Sequence, residues 1–150
     1  MKKIFMISLL AVIGIMMSAC SGSDDSSVPS ELEGLLDHNW GTDIATVKQS
    51  ASIYNVETDG NYLYVSSYKP SCIISYEFDA NGLCTMALVG SKEQITESYI
   101  NGLKSGYTEL GEINSGKTVY VNESKNKIME VQSTMHNGLE CYAIGWSKYQ

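Results

Sequence analysis

Short runs of alternating apolar and polar residues, joined by tight turns, constrain this chain more than any other feature. Two of the turns carry the same tripeptide, Asn-Gly-Leu, at residues 81–83 and 137–139. Asn-Gly between alternating runs is a strong β-hairpin signal, because both residues tolerate the left-handed backbone of such turns. The sequence therefore predicts an antiparallel sheet. The predicted strands are Tyr62–Val65, Cys72–Phe78, Leu83–Val89, Lys117–Val121, Lys127–Met135 and Leu139–Trp146.

Burial predicts the register of the first hairpin. A two-residue loop would divide the apolar side chains of the two strands between both faces of the hairpin, so that fewer of them could be buried together. A three-residue loop with Gly82 in the left-handed region brings the large apolar side chains together. The predicted facing pairs are Phe78 with Cys84, Tyr76 with Met86, and Ile74 with Leu88.

Three short segments show helical spacing of apolar residues. The first runs from about Ser30 to Asp37. The second has Thr42 as its predicted N-cap, and the third has Ser91. Their apolar stripes are Leu32, Leu35 and Leu36; Ile44, Val47 and Ala51; and Ile95, Tyr99 and Leu103.

A shift of 56 residues aligns the two halves of the chain. It superposes the two Asn-Gly-Leu turns, Tyr64 on Tyr120 and Ala87 on Ala143. Each half, about 40–90 and 91–147, then contains one helix followed by three strands. The predicted class is α+β: a duplicated αβββ unit forming one antiparallel sheet, with helices packed on one face. Residues 128–134 suit this alignment only if a one-residue bulge intervenes, since Met129, Val131 and Met135 are the better core positions.

The first residues of the chain differ from the rest. Lys2 and Lys3 precede an uncharged apolar run, residues 4–17, which is short for a membrane span, and then come Ser18, Ala19 and Cys20. This stretch resembles a bacterial lipoprotein signal, which implies cleavage after residue 19 and a lipid on Cys20. Residues 20–30 are small, polar and acidic, typical of a flexible tether. Residues 31–150 are then the single folded domain.

The tether also resembles the export signal of Bacteroidota lipoproteins, through its acidic pair Asp24-Asp25. That resemblance implies anchoring in the outer membrane, on its outer surface. Removing Lys2 and Lys3 with the leader changes the formal charge from −7 to about −9, and the chain contains no Arg. Because nucleic-acid binding needs clustered positive charge, nucleic acid is not an expected partner.

Three cysteines follow Cys20: Cys72, Cys84 and Cys141. Disulfides persist outside the cytoplasm, so one bridge and one unpaired thiol are expected. The predicted hairpin places Cys72 and Cys84 too far apart to bond. Cys84 and Cys141 each follow an Asn-Gly-Leu turn, which favours a bridge between them, with Cys72 unpaired; three buried thiols are the alternative.

The sequence offers little that could catalyse a reaction. His38 and His136 lack neighbours at metal-ligand spacing, and alternation places Glu77 and Asp79 on a solvated strand face. Neither an enzyme, a metal site nor a cofactor is expected. The aromatic residues are the one hint of a binding surface, because tyrosine and tryptophan favour protein or sugar contacts. That predicted surface comprises Tyr62, Tyr64, Tyr68 and Trp146.

Trp40-Gly41-Thr42 and the two Asn-Gly-Leu turns, set in tandem helix-and-sheet halves, resemble the β-lactamase-inhibitor-protein-like fold. That fold holds other proteins on a concave sheet. The resulting expectation is a membrane-anchored envelope lipoprotein that serves as a non-enzymatic protein-binding or scaffold module. The alternative is a carbohydrate-binding accessory lipoprotein that uses the surface Tyr and Trp residues. Its partners are the membrane, through the lipid, and an envelope protein or a glycan.

Overall fold

An eight-stranded antiparallel sheet dominates the structure, a computed structural model that describes residues 34–66, 72–113, 116–124 and 126–149. Helix α1 spans Ile44–Ser50, helix α2 spans Glu97–Lys104, and residues 34–36 are also helical. The strands are β1 (Val56–Asp59), β2 (Tyr62–Val65), β3 (Cys72–Asp79), β4 (Gly82–Ser91), β5 (Tyr107–Ile113), β6 (Lys117–Asn122), β7 (Lys127–His136) and β8 (Leu139–Lys148).

The order of strands across the sheet is β1-β2-β3-β4-β8-β7-β6-β5. Strands β1 to β4 follow one another from one edge to the middle, where β4 pairs with β8. All six predicted strands are present. The two edge strands, β1 and β5, were missed, so each helix is followed by four strands and not three. Both are largely exposed and carry charged residues, as is common for sheet edges, and therefore lack a clear apolar alternation.

The two faces of the sheet carry different side chains. The first face, which includes Tyr76, Leu88 and Ile144, belongs to the main core cluster. That cluster also contains Leu35, together with Val47 of α1 and Ile100 of α2. The second face holds a smaller apolar cluster on β2, β3, β4 and β8: Tyr64, Ile73, Ala87, Val89 and Ala143.

The predicted register of the first hairpin is confirmed for Tyr76 with Met86 and for Ile74 with Leu88. The third predicted pair is wrong: Phe78 pairs with Leu83, because the register shifts between Glu77 and Phe78. Since Glu77 pairs with Thr85, Cys84 is an extra residue in β4. The hairpin therefore contains a β-bulge directly after its turn.

Both predicted helix caps are shifted. Asp43, not Thr42, caps α1, and its Oδ1 accepts a hydrogen bond from the Thr46 N–H. Thr96, not Ser91, caps α2. Ser91 instead ends β4, since pairing with β8 continues as far as Cys141. Tertiary pairing with a distant strand thus overrides a local capping signal. Of the first predicted helix, residues 30–33 lie outside the described residues.

The 56-residue shift keeps some equivalent side chains on one face but not others. Ala87 and Ala143 both lie on the second face, whereas Tyr64 lies on the second face and Tyr120 on the first. The first hairpin contains one residue more than the second. In the strands before the turns, a residue and its equivalent 56 positions later therefore point to opposite faces of the sheet. Met129 and Val131 accordingly join the main core, as predicted, while Met135 is exposed.

The predicted Cys84–Cys141 disulfide is wrong, because both residues are free thiols. Strands β4 and β8 are antiparallel, so the turns that begin them lie at opposite ends of the sheet. Cys141 pairs with Ser91, seven residues along β4 from Cys84. At ~3.3 Å per residue this separates the cysteines by roughly 23 Å, whereas a disulfide needs Cα atoms within about 7 Å.

Candidate functional site

A groove of about 480 Å³ opens beside the first Asn-Gly turn, at the end of the sheet where β3 leads into β4. This volume suits a small ligand. We call it the Trp40 groove. The segment before α1, the turn, and strands β3, β4 and β8 all contribute to its lining, which consists of Trp40, Gly41, Glu77, Asp79, Asn81, Leu83, Cys84, Thr85, Ser147 and Lys148.

Backbone pairing fixes the position of Trp40. The Gly41 N–H donates to the Leu83 carbonyl at 2.9 Å, and the Leu83 N–H donates to the Thr42 carbonyl at 2.8 Å. The segment therefore lies alongside the start of β4. Gly82 permits this approach, since its φ is +99° and a Cβ there would overlap the backbone of Gly41 and Thr42. The first turn and the Trp-Gly-Thr segment thus form one unit.

The tryptophan ring is held by the opposite half of the chain. Its Nε1–H donates to the Asn126 carbonyl at 3.3 Å, and Lys127 Nζ lies 5.6 Å from the ring centroid, within cation–π range. The ring is half-buried. Trp40 therefore connects the start of β4 with the start of β7, packs in part against the main core cluster, and lines the groove with a fixed ring.

Glu77 supplies the best-ordered polar group of the groove. The Tyr62 hydroxyl donates to Oε1 at 3.0 Å, and the Thr85 hydroxyl donates to Oε2 at 3.0 Å. This hydrogen bond from Tyr62, with burial, raises the pKa of the Tyr62 phenol. Tyr62, Glu77, Thr85 and Ser147 are successive cross-strand neighbours on β2, β3, β4 and β8. Both carboxylate oxygens are thus oriented before any ligand arrives.

The β-bulge places Cys84 in the groove. Its Sγ–H donates to the Glu77 carbonyl at 3.3 Å. Burial, and then the charges of Glu77 and Asp79, raise the pKa of this thiol to about 11. Because the thiolate is the nucleophilic form, this raised pKa disfavours nucleophilic reaction of Cys84 at neutral pH. No histidine is among the residues that line the groove to act as its base.

Asp79 and Lys148 form the exposed rim of the groove. Asp79 Oδ1 accepts a hydrogen bond from the Asn81 N–H at 2.7 Å, which stabilises the turn. The lining therefore combines two carboxylates, one ammonium, two hydroxyls and an amide with one aromatic wall. Such a set can bind a polar ligand through many hydrogen bonds.

The prediction of an exposed aromatic surface is wrong for Trp146 and Tyr64, whose side chains are buried. Trp146 is 4% exposed and lies in the main core, between Met86 and Met129, because the register turns it to the first face. Tyr64 is also buried. It stacks on the half-buried Tyr62, with ring centroids 6.1 Å apart. Only Tyr62, through Glu77, reaches the Trp40 groove, and Tyr68 lies outside the described residues.

Trp40 was missed as a residue of the groove. The sequence places it in a short segment before a helix, and nothing local indicates that this segment docks onto a turn some 40 residues later. The adjacent Gly41 has φ +87°, which glycine adopts without strain, but a single glycine does not identify the segment that packs against it.

A buried ion pair on the second face was also missed. Lys117 Nζ lies 3.2 Å from Glu130 Oε2, and Glu130 is 1% exposed. Burial raises the pKa of Glu130, and Lys117 opposes that rise. Glu130 Oε1 has no hydrogen-bond partner among the described residues. The pair lies on β6 and β7, away from the Trp40 groove.

Neither histidine lies in the groove. His38 Nε2 lies 3.2 Å from the Ser50 hydroxyl of α1, and burial lowers the pKa of His38. His136 ends β7. Across the described ranges, no three His, Cys, Asp or Glu side chains are grouped as a metal site requires. In the same part of the chain, no helix has the length and apolarity to cross a membrane.

Comparison of the chain with protein families, with curated proteins and with solved structures finds no match. The Trp40 groove must therefore be judged on its own geometry. Its carboxylates are hydrogen-bonded, its thiol is protonated, and its aromatic wall is fixed. These properties make the groove a candidate binding site.

Proposed function

We propose that this protein is a lipid-anchored, non-enzymatic glycan-binding module of the bacterial cell envelope. The observation that carries the proposal is the Trp40 groove, whose lining includes both a fixed indole and a preoriented carboxylate. Sugar rings have one apolar C–H face and many hydroxyl groups. They therefore fit a site that combines one flat aromatic wall with several hydrogen-bonding side chains.

The groove has the right dimensions and stiffness for that role. Its volume of about 480 Å³ can hold one or two sugar rings. Trp40 and Glu77 are both held by hydrogen bonds, so a ligand would lose little affinity to ordering them. The described residues with large exposed apolar side chains are scattered, which favours a polar ligand over a broad apolar partner.

A glycan array followed by titration calorimetry on the purified full chain tests the proposal. We expect micromolar binding of defined oligosaccharides, lost in Trp40→Ala and largely kept in Trp40→Phe. The phenylalanine variant retains a flat ring but removes the Nε1 hydrogen bond to Asn126, which separates stacking from positioning. Equal binding by wild type and Trp40→Ala, or no binding to any glycan, would overturn the proposal.

Protein binding is the second candidate function, and one observation favours it. The β7–β8 hairpin continues beyond the end of its pairing with β6 and β4, and near its tip Met135 and Leu139 are exposed. Met135 pairs with Glu140 and Leu139 pairs with His136, so the two side chains lie on opposite faces of the hairpin, and the candidate contact is the hairpin tip and not one of its faces. A pulldown from envelope extract, repeated with a Met135→Ser/Leu139→Ser variant, tests this. Loss of a specific partner in the double variant supports protein binding.

The anchor proposed at Cys20 lies outside the described residues and rests on the leader sequence alone. A durable outer-membrane attachment follows if several acyl chains are joined to that cysteine. Metabolic labelling with a palmitate analogue tests it. We expect a label on wild type and on Cys84→Ala, and none on Cys20→Ala. A label that persists in Cys20→Ala would contradict the anchor.

We also propose that the sheet arose by duplication of one helix-and-strand unit whose helices pack on the first face. The support is the symmetric strand order, with β4 and β8 paired at the centre, and the presence of Val47 and Ile100 in one core cluster. If the halves are equivalent, a fragment of residues 34–96 should dimerise through β4. A strictly monomeric, unfolded fragment would count against the proposal.

A further inference from the structure

We infer that the Trp40 groove selects neutral or amino sugars and rejects acidic ones, with Glu77 as the residue that determines this specificity. The inference rests on the glycan-binding function proposed above. It follows from the position of the charges in the groove and from the hydrogen bonds that hold Glu77 in place.

Glu77 can act only as an acceptor toward a ligand. Each of its oxygens already accepts one hydroxyl hydrogen bond, from Tyr62 or from Thr85. A carboxylate has about four lone-pair sites, so each oxygen can still accept from one ligand group. A sugar hydroxyl or an ammonium can donate to it, whereas a second carboxylate cannot.

The two lysines near the groove do not reverse this preference. Lys127, whose Nζ lies 5.6 Å from the centroid of the Trp40 ring, is not among the residues that line the groove. Lys148 lies on the exposed rim, where water and salt screen its charge, while Glu77 is half-buried. Asp79 adds a second negative charge on the same side of the turn. A uronic acid in the groove would therefore meet the half-buried negative charge of Glu77 and, at the exposed rim, a positive charge that water screens more strongly.

Tyr62 and Thr85 hold the Glu77 carboxylate in place, so that it cannot rotate away from an acidic ligand. A free surface glutamate can turn its carboxylate into solvent, but both oxygens here are tied to neighbouring strands. Discrimination against a competitor depends on such a fixed repulsive group. Glu77 is thus a specificity residue in contact with the ligand.

Calorimetric titration of the full chain with matched neutral, amino and uronic oligosaccharides tests the inference. We expect acidic oligosaccharides to bind wild type at least about tenfold more weakly than neutral ones of equal length. Glu77→Gln, which keeps the shape of the side chain, should narrow that gap. Glu57→Gln removes the same charge from β1, outside the groove, and should leave the gap unchanged.

The outcomes separate the inference from the function on which it rests. If wild type binds no oligosaccharide, the glycan-binding proposal itself fails. If neutral and acidic oligosaccharides bind equally, and Trp40→Ala abolishes both, the function stands and the inference is overturned. Equal effects of Glu77→Gln and Glu57→Gln would also overturn it, since they would assign the discrimination to overall charge. Near-ultraviolet circular dichroism confirms folding, and Asp79→Asn provides a second variant in the groove.

Discussion

The two Asn-Gly-Leu turns have the same sequence and different structures. At 137–138 both turn residues have positive φ, 47° for Asn137 and 78° for Gly138, as in a two-residue type I′ hairpin. At 81–83 only Gly82 has positive φ, and a bulge follows at Cys84. The second turn projects from the sheet, while the first lies against the Trp-Gly-Thr segment.

Tertiary contact selects between the two turn conformations that one tripeptide permits. The first turn is in contact with backbone on its outer side, and the second has open space around its glycine. The extra residue of the first hairpin is Cys84, which the bulge places in the groove. The Trp40 groove therefore lies at the first turn, next to the bulge.

Leucine truncation should show the largest difference between the turns. Leu83 is 2% exposed and Leu139 is 43% exposed. We expect Leu83→Ala to lower the free energy of unfolding by about 3–4 kcal/mol, because it leaves a cavity in the core. Leu139→Ala should cost less than about 1 kcal/mol. Urea unfolding followed by circular dichroism measures both, and equal costs would contradict the docked arrangement of the first turn.

Alanine at the two turn glycines should give the next largest difference. Both glycines have positive φ, so each variant is strained by roughly 1 kcal/mol. At Gly82 the added Cβ also overlaps backbone of Gly41, which adds about 1–3 kcal/mol. Gly138→Ala serves as the control for strain alone. If the two variants unfold at the same urea concentration, the close approach of Gly41 to Gly82 is not a real constraint.

Alanine substitution of the asparagines should destabilise the second turn more than the first, the reverse of the order expected for the leucines and glycines. Asn137 has φ 47°, a conformation that asparagine tolerates better than alanine, so Asn137→Ala should cost about 1 kcal/mol. At Asn81 the Asp79 carboxylate accepts from the backbone N–H, which alanine retains. Asn81→Ala should therefore change the free energy of unfolding by less than about 0.5 kcal/mol. A larger cost at Asn81 than at Asn137 in the same urea experiment would contradict the turn assignments.

The cysteines that follow the two turns, Cys84 and Cys141, should differ in their rates of alkylation. The pKa of Cys84 is raised to about 11, so alkylation by iodoacetamide should be slow at pH 8 and accelerate as the pH rises toward 11. Glu77→Gln removes one cause of that shift and should speed the reaction at pH 8. Cys141 is buried and should stay unmodified in the folded protein. Mass spectrometry of digested protein locates the label, and rapid labelling of Cys84 at pH 7 would contradict its environment.

Local pattern predicted the six inner strands and most of the register of the first hairpin. It failed for β1 and β5, whose exposed edge positions carry no apolar alternation. It also failed for the cap at Ser91, where pairing of β4 with β8 extends the strand. The site was harder to predict than the fold. Trp40 and Glu77 lie almost 40 residues apart, and only the packed chain brings them to one groove.

Local sequence is sufficient to specify the antiparallel strands, the places where the chain turns, and the alternation that separates core from surface. These depend on neighbouring residues, through backbone sterics and the two-residue period of a strand. Packing of the whole chain sets which turn is bulged, which cysteines are far apart, and which aromatic residue lines a groove. Those outcomes depend on contacts between distant segments, such as Gly41 on Leu83, whose free energy no local pattern contains.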